Sequence, residues 1–162
     1  MNNTLLLIAY GNPLRRDDGA GLALGAQLAT AWQAVGIAVR HLALHQLTPE
    51  VALEVSAPDL YSVLFVDTTA EPLPDLQLVP LAPATADNAL GHHLTPATLL
   101  LYAQHLYGHC PPAWLLTIPG VDFGFGEGLS ATTTEQLTTA AAHAGDLLTT
   151  LLGNISLEGD TG

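Results

Sequence analysis

The chain contains no lysine and only three arginines, against fifteen aspartates and glutamates, for a formal net charge of −12 over 162 residues. A surface of that sign is repelled by nucleic acid and by anionic membranes, which argues against a polymeric phosphate as substrate. Cysteine is almost missing: Cys110 stands alone, so no internal disulfide can form and nothing in the cysteine usage points to secretion. Nowhere is there the run of about 18 apolar residues needed to cross a bilayer. The opening Met1-Asn2-Asn3-Thr4 lacks the positive region of a signal peptide. A cytosolic protein is expected, with neither membrane nor nucleic acid among its partners. Charged residues are only 11% of the chain and apolar ones 49%, so this is a chain with a sizeable core and not a disordered acidic one. Surface charges this sparse imply that part of the surface meets another protein.

Hydrophobic patterning alternates strands with helices. Thr4 to Tyr10 is a continuous apolar run, the mark of a strand buried on both faces. A helix follows over about 18–35, with Leu24, Leu28, Ala31 and Trp32 in helical register, and Gly36 ends it. Ile37 to Leu44 reads as a second strand, and Thr48-Pro49-Glu50 as the start of a helix reaching Ser56. Leu60 to Val66 is the third and most apolar strand, ending at Asp67. A proline-rich stretch then carries a short strand, Leu76 to Leu81. Thr95 caps the next helix, with Pro96 at its first position, an apolar face of Leu99, Leu100, Ala103 and Leu106, and Gly108 at its end. Ala113 to Ile118 is another strand, and Pro119 to Gly128, glycine-rich and aromatic, a surface loop. A last helix is expected from Ser130 to Leu152, with Thr132 to Glu135 as a capping box. The expected fold class is α/β: a single three-layer domain over 1–153 with a mostly parallel twisted sheet of about five strands flanked by helices, and a flexible tail over 154–162.

Three groups of residues could carry chemistry. Asp17 and Asp18 follow the first strand, Asp67 follows the third, and His92 and His93 open a helix. The carboxyl ends of parallel strands share one edge, where ligands of open α/β sheets bind, so Asp18 and Asp67 can meet there. Two carboxylates and an imidazole without thiolate suit a divalent transition metal with open positions and not a structural zinc. The plainer readings are that Asp17 or Asp18 caps the helix, that Asp67 caps its turn, and that the histidines are solvated. His45, His105, and the adjacent His109 and Cys110 are weak signals, Tyr102 and Tyr107 read as packing, and Asp122 and Glu127 as possible partner contacts. No G-x-G-x-x-G is present, and paired carboxylates would repel a phosphate.

Gly11-Asn12-Pro13-Leu14-Arg15-Arg16-Asp17-Asp18-Gly19-Ala20-Gly21 resembles the opening signature of the nickel–iron hydrogenase maturation endopeptidases. The resemblance continues at Phe65-Val66-Asp67, at His92-His93-Leu94-Thr95-Pro96 and at Gly128-Leu129-Ser130, covering the chain to about Leu152. His45-Gln46-Leu47-Thr48-Pro49 is more similar to members serving cytosolic, NAD-linked hydrogenases. The resemblance implies that Asp18, Asp67 and His92 are the metal ligands, His92 chosen over His93 by the family's His-x-Leu. It implies an endopeptidase that removes a C-terminal extension from the hydrogenase large-subunit precursor after nickel insertion. Either the metal polarises the scissile carbonyl or activates water, or Asp18 or Asp67 is the catalytic base. The nickel comes with the precursor and serves as the recognition element, so the isolated protein is expected to be metal-free. Two departures stand out: Asp18 replaces a frequent glutamate, and His45-Gln46 replaces an aspartate that some members carry after the second strand. The alternatives are a nickel-binding hydrogenase chaperone that does not cut, a nucleotide binder, and a peptidyl-tRNA hydrolase-like enzyme. The last needs a histidine soon after the first strand and a basic surface, and the chain has Asp17-Asp18 and a charge of −12.

Overall fold

The computed structural model describes residues 3–85 and 94–160, with 154–160 described by their backbone alone. Five strands, β1 (Thr4–Tyr10), β2 (Ala38–Leu44), β3 (Leu60–Thr69), β4 (Gln77–Leu81) and β5 (Ala113–Pro119), form one sheet in the order β2-β1-β3-β5-β4. All neighbours run parallel except β4, which pairs antiparallel with β5 at the edge. The helices are α1 (Ala20–Ala34), α2 (Val51–Val55), α3 (Pro96–Tyr107), α4 (Ala131–Ala142) and α5 (Ala144–Asp160). The expected three-layer α/β architecture is what the chain adopts. Among the described residues no helix is long and apolar enough to cross a membrane.

The alternation along β1 explains the layers. Leu5, Leu7 and Ala9 face α1, α4 and α5, while Leu6 and Ile8 face α2 and α3. With both faces covered, every residue from Leu5 to Ala9 is fully buried, and each such leucine contributes about 1.5–3 kcal/mol. On α1 the buried stripe is Leu24, Leu28, Ala29 and Trp32, with Ala31 turned to solvent instead. Thr95 caps α3 as expected, accepting from the Thr98 amide at 3.2 Å, and Gly108 closes it at φ 74°. Leu106 departs from its expected place: in the last turn of α3 it is exposed together with Tyr107.

Three further differences have local causes. β3 runs on to Thr69 because β5 stays paired alongside it, Asp67 opposite Thr117 and Thr69 opposite Pro119. Asp67 therefore lies within the strand. The single helix expected after Ser130 is two, with the Trp32 indole of α1 donating to the Ala144 carbonyl at the break, 2.9 Å away. The cap of α4 is Ser130, whose hydroxyl accepts from the Thr133 amide at 3.2 Å, and not the Thr132 to Glu135 box.

Candidate functional site

The chain leaves β1 for β2 on one side and crosses back to β3 on the other. Between β1 and β3 the strand order therefore reverses, and a crevice opens at the carboxyl ends of such a pair. Asp18 and Asp67 line that crevice, a cleft of about 400 Å³ closed by Tyr10, His45, Gln46 and Leu47, with Leu94 on the α3 side. The local sequence explains why Asp18 arrives there. After Tyr10 the chain turns at Gly11, and the Asn12 amide donates to Asp18 Oδ2 at 2.7 Å. A 3-10 turn over Arg16–Gly19 follows. The Gly21 amide then donates to Thr68 Oγ1 at 2.8 Å, fastening the start of α1 to the end of β3. Strand alternation does the rest. Thr68 faces α1, so Asp67 faces the opposite layer and opens into the cleft.

Gly11 is fixed by this close approach. A Cβ there would run into the carbonyl oxygen of Asp18, and its φ of 154° is one that side-chain-bearing residues rarely adopt. Gly11→Ala is expected to cost about 1–3 kcal/mol and to displace Asp18, read as a lowered melting temperature together with lost activity.

The two carboxylates differ electrostatically. Burial pushes Asp67 up from its ordinary 3.8 to about 6, aided by the nearby charge of Asp18 and opposed by the Thr68 amide, which donates to Oδ1 at 2.7 Å, and by the Tyr10 phenol. Burial and the Asp67 charge push Tyr10 far upward, so its hydroxyl stays protonated and serves as a donor. A carboxylate held near 6 by desolvation is the kind of group that exchanges protons at neutral pH or welcomes a cation.

Asp17 does something else. It is fully buried, and its carboxylate accepts from the amides of Val121 (2.9 Å), Asp122 (2.8 Å) and Ser130 (2.7 Å) and from the hydroxyls of Ser130 and Thr133 (both 2.8 Å). Burial opposes its charge, but these donors outweigh burial and hold it far below the usual carboxylate range. Neither aspartate caps α1, whose N-cap is Gly19 without a side-chain bond. The adjacent acids are thus divided: Asp18 opens into the cleft, and Asp17 ties the first loop to the one after β5. Gly120 permits that contact, since a Cβ there would lie 2.9 Å from Asp17 Cβ and from Phe123 Cζ.

His92, the expected third ligand, and its neighbour His93 lie outside the described residues. Among the described residues no group of three His, Cys, Asp or Glu side chains could hold a metal ion, and Asp18 and Asp67 are the two carboxylates that share the cleft. Sequence reasoning passed over Tyr10 and weighed His45 as a weak signal and, with Gln46, as the replacement for an aspartate. Both stand at the ends of adjacent parallel strands, and that position was the available signal. Asp122 pairs with Arg16 at 3.2 Å.

No protein-family profile and no curated protein matches the chain. Solved structures do. NiFe hydrogenase maturation protease HycI from Thermococcus kodakarensis KOD1 superposes with a TM-score of 0.59 at 19% identity, covering 88% of this chain and 90% of its own. The hydrogenase maturating endopeptidase HybD from E. coli gives 0.60 at 12%, covering 93% of both chains. An endopeptidase from Escherichia coli, solved in solution, gives 0.64 at 13%, again over 93% of both. The structural neighbours are therefore hydrogenase maturation proteases, and at these identities the likeness establishes a shared fold along nearly the whole chain.

Proposed function

We propose that this chain, which has the fold of the hydrogenase maturation proteases, is an endopeptidase that trims the C-terminus of a nickel-loaded hydrogenase large-subunit precursor in the cytosol. The observation that carries the reading is the meeting of Asp18 and Asp67 in one cleft at the β1/β3 edge. The donor set fits nickel held by the incoming precursor. Two carboxylates crowd each other there, and a cation between them relieves both the repulsion and the burial of Asp67. His92 would add the imidazole, two residues before Leu94, which lines the same cleft. The metal, when bound, supplies a positive centre that marks a loaded precursor.

The chain's own part in cleavage is proton handling. Asp67 in its ionised form accepts a proton from water as the water oxygen bonds to the scissile carbonyl carbon. The same proton then passes to the departing amide nitrogen as the C–N bond breaks, leaving a new carboxylate and a free amine. The Tyr10 hydroxyl steadies Asp67 throughout. Asp18, held by the Asn12 amide, keeps one oxygen for the precursor's metal.

Mass spectrometry of a large-subunit precursor from the same organism tests this. Wild-type protein should remove a C-terminal peptide from the nickel-loaded form and leave the nickel-free form intact. Asp18→Ala should slow removal by about 100-fold or more. An unchanged precursor mass with bound nickel would favour a chaperone over a protease.

A further inference from the structure

On the premise that the precursor is the substrate, we infer that the paired loops beside the cleft, 12–16 and 120–128, form the docking surface for its polypeptide, with Phe125 as apolar anchor and Arg15 as the charge that receives an acidic group. Phe125 is 96% exposed, and Val121 and Leu14 beside it are 64% and 54% exposed. These are the side chains water disfavours most, placed on a loop that is built rigidly. The Arg16 amide donates to the Gly126 carbonyl at 3.1 Å, the Gly126 amide to Leu14 at 2.8 Å, and the Asp17 amide to Asp122 at 2.9 Å. Arg15 Nε donates to the Phe123 carbonyl at 3.3 Å. Arg16 is held in the left-handed region at φ 44° while it pairs with Asp122. Strain of that kind persists only where surrounding bonds impose it. The exposure of Phe125 thus belongs to a preorganised surface.

The occupant follows from continuity and charge. Loop 11–18 serves both places: Gly11 and Asp18 line the cleft, and Leu14 and Arg15, between them in sequence, belong to the rim. A chain whose scissile bond lies in the cleft lays its neighbouring residues across this loop. Charge disfavours a second copy, which would bring another −12. Of the three arginines, Arg16 pairs with Asp122 and Arg40 with Asp59, while Arg15 makes no ion pair among the described residues. In a chain with fifteen acids, a guanidinium that among the described residues has no carboxylate and bonds through Nε suits an acidic group on the partner. Glu127 in the same loop leaves the rim near neutrality, so a protein is not repelled there as it is elsewhere.

The test uses full-length protein, Phe125→Ala and Arg15→Glu, with the nickel-loaded precursor as probe. KM for processing and Kd by calorimetry should each rise about tenfold or more in either variant. The kcat should stay at the wild-type value in both variants, and so should the melting temperature of Phe125→Ala, because neither side chain touches the cleft or the core. Wild-type KM and Kd in both variants would overturn the docking surface while leaving the peptidase reading intact. Binding that weakens in both variants, with no cleavage by the wild type, would uphold the surface and sink the peptidase reading. Failure of the wild type to bind the precursor would overturn the surface. So would a wild-type dimer in sedimentation that Phe125→Ala converts to monomer, since the face would then serve self-association.

Discussion

Asp17→Asn should unfold the protein or lower its melting temperature by about 10 °C or more, although the two side chains are nearly the same size. The carboxylate is fully buried and accepts five hydrogen bonds from loop 120–130 and the start of α4. An asparagine offers one acceptor oxygen and turns an NH2 group toward donors. Four of the five bonds converge on Oδ2, so with the amide oxygen placed there the NH2 group faces the Ser130 amide, which loses its acceptor at about 1–3 kcal/mol, while the other four donors face an uncharged, weaker acceptor. The total expected loss is on the order of 3–5 kcal/mol, the range for breaking a buried charged pair. For a domain of this size each kcal/mol moves the midpoint by about 2–4 °C. The pH dependence has a definite sign. The folded pKa of Asp17 is depressed, so its contribution is present above the ordinary value of 3.8 and is lost as pH falls below it. Wild-type protein should therefore lose stability steeply in acid, and Asp17→Asn should show a shallower acid limb. Thermal melts from neutral pH down to the acid range check both expectations. Equal stability of the two proteins at pH 7 would mean that the five bonds do not hold the loops together.

What the sequence made legible follows from which forces act locally. The continuous apolar runs of β1 and β3 specify strands buried on both faces, and the ends of α3 are specified locally, by the cap oxygen of Thr95, the fixed φ of Pro96 and the left-handed φ of Gly108. The approach of Asp18 to Asp67 was legible too, because a parallel sheet puts all its carboxyl ends on one edge. What could not be read depended on distant partners. The extension of β3 through Thr69 needs β5, and the break at His143 is held by an indole from α1. The role of Asp17 depends on donors more than one hundred residues away, such as the Ser130 amide, 113 positions on. A pair of acids at the start of a helix gives no hint of which is buried and which opens into a cleft. Asp17 and Asp67 carry opposite burdens, Asp17 stabilising the fold when charged and Asp67 burdening it.

Asp67→Asn should therefore gain stability while abolishing function. The folded pKa of Asp67 is raised from 3.8 to about 6 by burial and by the charge of Asp18, so in the window between those values the native state binds more protons than the unfolded chain. Stability then falls as pH rises through that window, and the cost is fully present at pH 7. At about 1.4 kcal/mol for each pH unit, the cost is up to about 3 kcal/mol before solvent screening of a half-buried group reduces it. An asparagine carries no charge, and its carbonyl can still accept from the Thr68 amide that now donates to Asp67 Oδ1 at 2.7 Å. Its melting temperature at pH 7 should exceed the wild type's by several degrees, and the gap should close as the pH approaches 4, where Asp67 is protonated. The same variant has no base to take the proton from water and one fewer anionic oxygen for a cation, so processing of the nickel-loaded precursor should fall by about 100-fold or more. A stabilised and inactive protein would identify Asp67 as a charge retained for function at the expense of the fold. A variant destabilised at neutral pH would mean that the ionised carboxylate is a structural asset like Asp17, and the proton-transfer role would have to be assigned elsewhere in the cleft.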